Sequence, residues 1–425
     1  MKYITLLSMF VLMTINVVTA QDNSGDATHS FTHHQADGNR IVQGAGTFPA
    51  VVVQDVILHG VPVWVVGYAT QETLVWFVSL ENGNLDRVEL GLDGTVIATE
   101  LFAEQIAAQQ PFVVGVANDG VEFIFPAAAN GSSYTHPISV GENMNVYIDS
   151  NGDLVLSGDD EILHRLELNA MLDARLVTNS DGLMAVYINP TDQRYVHGIM
   201  GDRLEAASIA ILEITENQLQ IASIIDLPNS DVFEGLLPLW ADVDADGSPD
   251  LVTTVSNNNE GAQIQVYSVS GQLLASGPAI GTGQRWRHQL AWGAFGPGGE
   301  LELVDVLTPH IGGVVEFYRY ADGQLNVVAT QSGYTSHVNG SRNLDMAVAG
   351  DFNGDEQLEI VVPSQSRYQI AAIQHNDDGN LVNWEFDVGG RIITNLSAIN
   401  HTSGLSLAVG TDQGLLRVWI SMSSD

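Results

Sequence analysis

The sequence predicts an all-β chain folded as a seven-bladed β-propeller with four-stranded blades. From about residue 41 onward, short runs rich in Val, Ile, Tyr, Phe and Trp, such as VPVWVVGYA, TLVWFVSL and GVVEFYRY, alternate with turn clusters such as ENGN, NSDG and YADG. A frame of apolar run, Gly-containing turn and β run recurs at intervals that accommodate four short strands. An open β-solenoid or a pair of sandwiches is the structural alternative.

The frame is counted from the residue that anchors each turn. Seven repeats result, 47 to 66 residues apart, with anchors at Gln54, Val114, Leu176, Asp242, Ala294, Asp351 and Ala398. The last repeat is short, so we expect an N-terminal strand within residues 41–53 (IVQGAGTFPAVVV) to complete it and close the ring. Closure of this kind removes exposed sheet edges.

The N-terminus has the features of an export signal. Residues 1–20 carry an early Lys2, an apolar run, and Val18 and Ala20 at the positions before a cleavage site, which predicts a signal peptide cleaved after Ala20. Residues 21–40 are polar and are predicted to be a flexible leader. Residues 41–425 are predicted to form one β-propeller domain. We therefore expect a secreted or periplasmic protein and, because no later segment holds 18 uninterrupted apolar residues, no membrane span.

Composition excludes several chemistries. The formal charge is −37, from 51 acidic and 14 basic residues, so nucleic acid is not an expected partner. There is no cysteine, and Lys2 is the only lysine, which excludes disulfides, thiolate metal sites and a catalytic lysine in the mature chain. We expect an acidic, monomeric protein whose stability comes from its core and from bound metal.

Two of the repeats carry acidic loops with the spacing of a calcium site. In ADVDADGSPDL, carboxylates occupy places 1, 3, 5 and 9, and Gly247 at place 6 allows the tight turn. The sixth repeat, GDFNGDEQLEIVV, has oxygen-bearing side chains at the same places, although Glu356 replaces the glycine. The predicted ligands of one or two structural Ca²⁺ ions are Asp242, Asp244, Asp246, Asp250, Asp351, Asn353, Asp355 and Glu359.

Neither loop has the features of an EF-hand, and a plain Asp-Asn-Gly turn is the alternative interpretation. An EF-hand needs Glu at place 12, where this chain has Thr253 and Val362, and it needs flanking helices where this chain has β runs. In the fifth repeat only Glu302 remains of the ligand set, so that loop is predicted not to bind metal.

ADVDADGSPDLV and GDFNGDEQLEIVV resemble the FG-GAP/VCBS repeats of integrin-α-like propellers. The motif is clear in two repeats and degenerate in five, while the general frame covers residues 41–421. The resemblance implies a seven-bladed propeller, structural calcium held in loops within blades, and an extracytoplasmic role that is often adhesive or ligand-binding. It does not identify a substrate, because one fold carries many functions.

A second candidate site rests on the arginines that precede three anchors. Counted back from the anchors, Arg285 and Arg342 share place −9, and Arg287 and Arg391 share place −7, so all four are predicted to lie on one face of equivalent strands. The predicted basic arc, which would bind an anionic ligand such as an acidic glycan, comprises Arg285, Arg287, His288, His310, His337, Arg342 and Arg391. The alternative is that these arginines pair with carboxylates between blades.

Two function classes remain open on the sequence. The first is a non-enzymatic, secreted module that binds or adheres to an extracellular glycan or protein. The second is a secreted polysaccharide-active enzyme, a lyase or hydrolase, which would carry an acid/base pair in an open pocket. The sequence identifies no catalytic residue, because carboxylates are too numerous for one pair to be distinguished.

Overall fold

The computed structural model describes residues 28–33, 35–102, 111–117, 120, 122–125, 130–141, 144–158, 161–377, 379 and 381–422. The predicted signal peptide, residues 1–20, lies outside these residues. Throughout the described ranges the regular structure is β-strand, so the prediction of an all-β chain is confirmed. These ranges contain no helix long and apolar enough to cross a membrane.

Three strands precede the repeating part of the chain: β1 (Thr28–Phe31), β2 (Ile41–Ala45) and β3 (Val51–Ile57). Within the described residues, the strands that follow are divided here into eight groups, named units 1 to 8, in which most sequence neighbours pair antiparallel. Additional pairs join units 4, 5 and 6 into one 13-stranded sheet. Unit 1 consists of β4 (Pro62–Ala69), β5 (Thr73–Leu80), β6 (Leu85–Gly91) and β7 (Val96–Phe102). Unit 2 consists of β8 (Val113–Ala117) and β9 (Glu122–Phe125).

Units 3 to 5 continue the pattern. Unit 3 consists of β10 (Ile138–Gly141), β11 (Met144–Ile148), β12 (Leu154–Gly158) and β13 (Glu161–Leu166). Unit 4 consists of β14 (Val177–Thr178), β15 (Met184–Thr191), β16 (Glu205–Thr215) and β17 (Gln218–Asp226). Unit 5 consists of β18 (Val232–Phe233), β19 (Leu239–Ala241), β20 (Asp250–Asn257), β21 (Gly261–Ser268) and β22 (Leu273–Ser276).

Units 6 to 8 complete the described chain. Unit 6 consists of β23 (Arg287–Gly293), β24 (Glu302–Leu307), β25 (Val314–Ala321) and β26 (Gln324–Ser332). Unit 7 consists of β27 (Val348–Asp351), β28 (Glu359–Pro363), β29 (Gln369–Ile373) and β30 (Val382–Asp387). Unit 8 consists of β31 (Ser397–His401), β32 (Gly404–Gly410) and β33 (Leu415–Ser421), and β3 pairs with β33 as its outer strand.

The outermost strand is the most exposed one in the four-stranded units. In unit 6, β23 (RHQLAWG) is buried throughout, whereas β26 (QLNVVATQS) is mostly exposed. Strands buried on both faces have nearly continuous apolar sequences, whereas outer strands mix apolar and polar residues. The β runs recognised in the sequence, such as TLVWFVSL of β5 and GVVEFYRY of β25, are accordingly strands other than the outermost one.

The units pack face to face in chain order, and the last packs on the first. One apolar cluster joins units 6 and 7 through Phe317 and Ile360, and another joins unit 8 to unit 1 through Val418 and Trp76. Asn395, which precedes β31, also bonds both backbone groups of Val65 on β4, at 2.9 and 2.8 Å. Four-stranded antiparallel units that pack in sequence and return to the first are the arrangement of a β-propeller.

The grouping differs from the seven predicted repeats. The frame missed unit 3, whose turn DSNGD joins β11 to β12, and it placed an anchor at Gln54, which lies on the outer strand of unit 8. An N-terminal strand does pair with the last unit, but it is Val51–Ile57 rather than residues 41–53. Residues 41–45 pair instead with β27. Turn chemistry alone cannot distinguish the hairpins within a unit, so the repeats counted in the sequence and the strand groups do not coincide.

The predicted flexible leader is wrong from residue 28 onward. Residues 28–33 and 35–50, named the N-terminal belt, lie along the inner strands of several units. β1 pairs with β8, Ala36 O accepts from Thr178 N at 2.8 Å, and Asp37 O accepts from Trp240 N at 2.9 Å. The belt then pairs with β27 of unit 7. Without the belt, these inner edges would present unpaired backbone groups. The belt supplies their hydrogen bonds, a role that its polar composition did not indicate.

Contacts of two buried charged or polar side chains, Arg40 and His33, hold the belt in place. The Arg40 guanidinium donates to the carbonyls of Gln289, Leu290 and Leu344 at 2.8 to 3.2 Å and lies 3.5 Å from Asp345. His33 Nε2 lies 2.8 Å from the same Asp345 carboxylate. The belt is therefore held by side-chain contacts more than 240 residues away in sequence.

Candidate metal and ligand sites

The two acidic loops occupy equivalent places in the fold. The first joins β19 to β20 in unit 5, and the second joins β27 to β28 in unit 7, so each connects the two inner strands of its unit. A buried strand on either side fixes both ends of each loop. Each loop is therefore a connection between two buried strands of the scaffold.

In the first loop three of the four predicted ligands converge. Carboxylate oxygens of Asp242, Asp244 and Asp250 lie within 4.8 Å of one another. Burial, with the charges of Asp244 and Asp242 adding to it, raises the pKa of Asp250 to about 6. Asp246 is outside the converging set, and its Oδ1 accepts from Ser248 N at 2.7 Å.

This donor set fits a hard divalent cation. Three carboxylates on one tight loop are the ligands that Ca²⁺ prefers, and the ion accepts the irregular geometry of such a loop. Within the described part of the chain, no arginine or histidine forms an ion pair with this loop. The mutual repulsion of its carboxylates is therefore left for a cation to compensate.

The second loop repeats the hydrogen bonds of the first. Asp351 accepts from the N–H groups of Asp355 and Glu356, as Asp242 accepts from Asp246 and Gly247. The place-9 carboxylates also match: Phe352 N donates to Glu359 at 2.6 Å, and Val243 N donates to Asp250 at 3.1 Å. Two loops with different sequences therefore adopt one conformation.

The ligands of the second loop are more engaged with the protein. Asp355 accepts from Gln374 Nε2 at 2.9 Å and from Asn353 Nδ2 at 2.9 Å. Glu359 accepts from Asn383 at 3.0 Å, and burial raises its pKa to about 8. Its carboxylates do not form a converging triad comparable to that of the first loop among the described residues. The second loop is the weaker metal site of the two.

The third, eroded loop is neutralised by protein groups. Glu302, the one acidic residue left at a ligand place in unit 6, is fully buried and lies 2.5 Å from Arg319 and 2.9 Å from His375. An arginine thus supplies the positive charge that a cation would supply in the other loops.

The predicted basic arc is wrong as a single exposed surface. Arg287 is only 4% exposed, and its guanidinium contacts Asp305, Glu316 and Tyr318 inside unit 6. Burial raises the pKa of Asp305 to about 7 even beside the arginine. A charge this deeply buried and paired with carboxylates cannot contact an external ligand. Arg287 therefore follows the alternative interpretation, in which the arginine pairs with carboxylates.

The other three arginines each contact a different set of partners. Arg342 pairs with Asp173 at 2.8 Å and Asp202 at 2.6 Å, and its guanidinium stacks 4.4 Å from the centre of the Tyr134 ring. Arg285 is exposed and donates to the carbonyls of Ile280 and Thr282. Arg391 lies 3.6 Å from Asp412. Equal spacing from the anchors did not give equal environments.

The three predicted histidines do come together, around Trp286. His288 and His310 stack on the indole with ring centres 4.7 and 6.0 Å away, and His337 meets it edge-on at 5.2 Å. His337 Nε2 donates to Ser341 O, so His337 Nδ1 accepts from His310 Nε2 at 2.7 Å. Burial lowers the pKa of His337 to about 3 and that of His310 to about 4, which keeps both rings neutral.

Sequence reasoning missed two polar clusters. In the first cluster, the buried carboxylate of Asp345 contacts Arg175, Arg40 and His33. At the junction of units 4 and 5, His197 Nδ1 lies 2.7 Å from Glu234 Oε1, next to the buried Glu205. The only sequence signal for either was a charged residue inside an apolar run, which is weak in a chain with 51 acidic residues.

An all-β chain with a propeller-like ring of units and acidic loops within them is thus the class that the fold and the candidate sites define. No protein-family model matches the chain, and no curated protein matches it. Similar solved structures include the WD40 β-propeller domain of Doa1, with 9% identity over 89% of this chain and 97% of that chain and a TM-score of 0.38.

Two further WD40 structures are similar at the same level. The C-terminal WD40 domain of Sif2 has 10% identity over 91% of this chain and 99% of that chain, with a TM-score of 0.46. The WD40 domain of Toxoplasma gondii coronin has 7% identity over 91% of this chain and 89% of that chain, with a TM-score of 0.45. WD40 propellers are a family distinct from the FG-GAP/VCBS repeats, and similarity at these scores carries no functional inference.

Proposed function

We propose that the protein is a secreted or periplasmic, calcium-stiffened β-propeller of the FG-GAP/VCBS type that acts as a monomeric ligand-binding or adhesion module. Its eight units would be the blades, with β3 closing the ring. The observation that carries calcium binding is the convergence of Asp242, Asp244 and Asp250 on one point without an ion-pair partner among the described residues.

Calcium in this proposal has a structural task. The loops connect inner strands of units 5 and 7, and each turns its carboxylates onto its own backbone N–H groups. An ion there would fix the spacing of the two inner strands, and the chemistry it supplies is charge compensation alone.

Calcium titration by calorimetry tests this proposal. We expect one tight site, abolished in Asp242→Asn, and a second, weaker site abolished in Asp351→Asn. Asp181→Asn, an exposed turn aspartate outside both loops, is the matched control and should bind as the wild type does. Absence of calcium binding by the wild type would refute the proposal.

A binding role would use the outer faces of the molecule, because the N-terminal belt covers inner strand edges of units 2, 4, 5 and 7. Where the belt meets units 5 and 6, the space between Arg40, Trp286 and His288 leaves no cavity for a water molecule. Ligands would then meet the molecule at its faces. Extracellular glycans and proteins are the proposed partners. Screening an acidic-glycan panel with wild type and Arg285→Ala tests the exposed arginine that precedes unit 6.

One observation favours the alternative, a polysaccharide-active enzyme. His197 is oriented by Glu234 through a 2.7 Å contact, and its side chain is 15% exposed, as an acid/base group requires. His59, which contacts Asp86 at 2.9 Å on unit 1, is the matched control. Turnover of anionic polysaccharides that is lost in His197→Gln and kept in His59→Gln would support the enzyme; no turnover by the wild type would exclude it for those substrates.

A further inference from the structure

The junction of units 4 and 5 buries two glutamates opposite each other. The antiparallel register that pairs Ala206 of β16 with Phe233 of β18 brings the adjoining Glu205 and Glu234 to facing positions. Glu205 is 1% exposed and Glu234 is fully buried. Like charges directly opposite on paired strands repel each other, so this arrangement needs a compensating group.

The two glutamates are satisfied to different extents. Glu234 is bonded to His197 and to the Ser256 hydroxyl. Glu205 accepts from the backbone of Gly235, but its Oε2 is buried with no partner among the described atoms. The hydroxyl of Tyr195, which is 2% exposed and lies near the start of the loop between β15 and β16, is also buried without a partner among the described atoms.

The surrounding charge is negative. The negative charges of Asp173 and Asp202 both repel that of Glu205. The nearby Arg342 is already bonded to those two aspartates. Buried polar atoms that lack a protein partner normally have a bound water or ion. An ion of positive sign is the one that this excess of carboxylates favours.

We propose that this junction binds a monovalent cation, Na⁺ or K⁺, with Glu205 Oε2 and the Tyr195 hydroxyl among its ligands. A divalent ion is disfavoured because the set of three converging acidic ligands in the described chain is in the loop of Asp242, not here. The site is separate from the calcium loops, and it would anchor the loop of residues 192–204 onto unit 5.

Thermal unfolding in three chloride salts tests the proposal. The wild type is compared in NaCl, KCl and choline chloride at equal ionic strength and saturating Ca²⁺, so that general screening is constant. We expect a Tm higher by roughly 2 °C in one or both alkali salts than in choline chloride. The difference should vanish in Glu205→Gln and persist in Glu213→Gln, an exposed glutamate on the same strand.

Tyr195→Phe, which removes one hydroxyl and no charge, should also reduce the salt-specific difference, and it serves if Glu205→Gln does not fold. Crystals grown with Tl⁺ should show an anomalous peak between Glu205 and Tyr195. Equal Tm values in all three salts, a difference that survives Glu205→Gln, or a water in place of the Tl⁺ peak would each overturn the proposal in favour of a buried water or a shared proton.

Discussion

Glu356 adopts the same left-handed backbone conformation as Gly247, with φ of 71° against 87°, at place 6 of the second and first acidic loops. The shared hydrogen bonds to Asp351 and Asp242 hold the two residues in this conformation. A side chain at such a φ costs about 1–2 kcal/mol, and only glycine avoids the cost. The second loop therefore keeps its shape against the preference of its own residue.

Glu356→Gly should stabilise the protein for this reason. Relief of about 1–2 kcal/mol of strain exceeds the roughly 0.4–1 kcal/mol that added freedom of the unfolded chain costs, so we expect a net gain of about 0.5 kcal/mol. Urea unfolding measures it. Glu72→Gly, at an exposed turn position without a positive φ, is the control and should destabilise; a loss in both variants would contradict the strain argument.

Removal of calcium should lower the melting temperature. EDTA leaves Asp242, Asp244 and Asp250 to repel one another, and Asp244→Ala removes one ligand even when calcium is present. Scanning calorimetry with and without Ca²⁺ measures both effects, with Asp181→Asn as the control. Melting curves that EDTA and Asp244→Ala both leave unchanged would reject a structural role for calcium.

Substitutions at Arg287 and Arg285 should have very different effects on unfolding free energy, although the two residues are only two positions apart. Arg287→Met leaves Asp305 and Glu316 buried without their cation, which typically costs about 3–5 kcal/mol of unfolding free energy. Arg285→Ala changes an exposed side chain, so we expect a change within about 0.5 kcal/mol. Equal effects in denaturant unfolding would show that Arg287 is not the buried partner described here.

Loss of Arg40 should loosen the N-terminal belt. Arg40→Met removes hydrogen bonds to three buried carbonyls and a contact with Asp345, so we expect a loss of about 2–4 kcal/mol. Hydrogen exchange should quicken at Thr178, Trp240 and Ala349, whose N–H groups bond to the belt. The exposed His29 provides the control, because His29→Ala should leave these three amides protected.

Acid should destabilise the protein through its buried histidines. The pKa of His310 is lowered from an ordinary value of 6.5 to about 4, so the unfolded state binds more protons than the folded state between these values. Unfolding free energy must then fall as pH drops from 6.5 towards 4, and the contribution of this ring is at most about 3 kcal/mol.

His310→Gln isolates that contribution. The buried carboxylates with raised pKa, such as Asp305, act in the opposite direction, so the wild type and the variant are compared at each pH. Their difference in unfolding free energy should be constant from pH 7 to 9 and should shrink below pH 6.5. A difference that does not depend on pH would mean that His310 is protonated equally in both states.

Much of the architecture could be predicted because it is encoded locally. β-branched and aromatic runs between Asn-Gly and Asp-Gly turns determine strands and hairpins, and the spacing of Asp242, Asp244 and Asp250 determines which oxygens share a turn. Asp246 shows the limit even here, since its carboxylate caps Ser248 within the loop instead of joining the other three.

The sequence by itself determined an all-β chain with two acidic loops of one design, because those features depend on neighbours within about ten residues. Only the tertiary structure decided that residues 28–33 and 35–50 line the inner strands, that Arg287 is neutralised inside unit 6, and that Glu205 faces Glu234. Each of these depends on the partner that folding brings alongside, as with Arg40 and Leu344, 304 residues apart. Burial determines whether a charge pairs within the protein or binds a ligand. It depends on the residues that the tertiary fold places around that charge, and not on local sequence spacing.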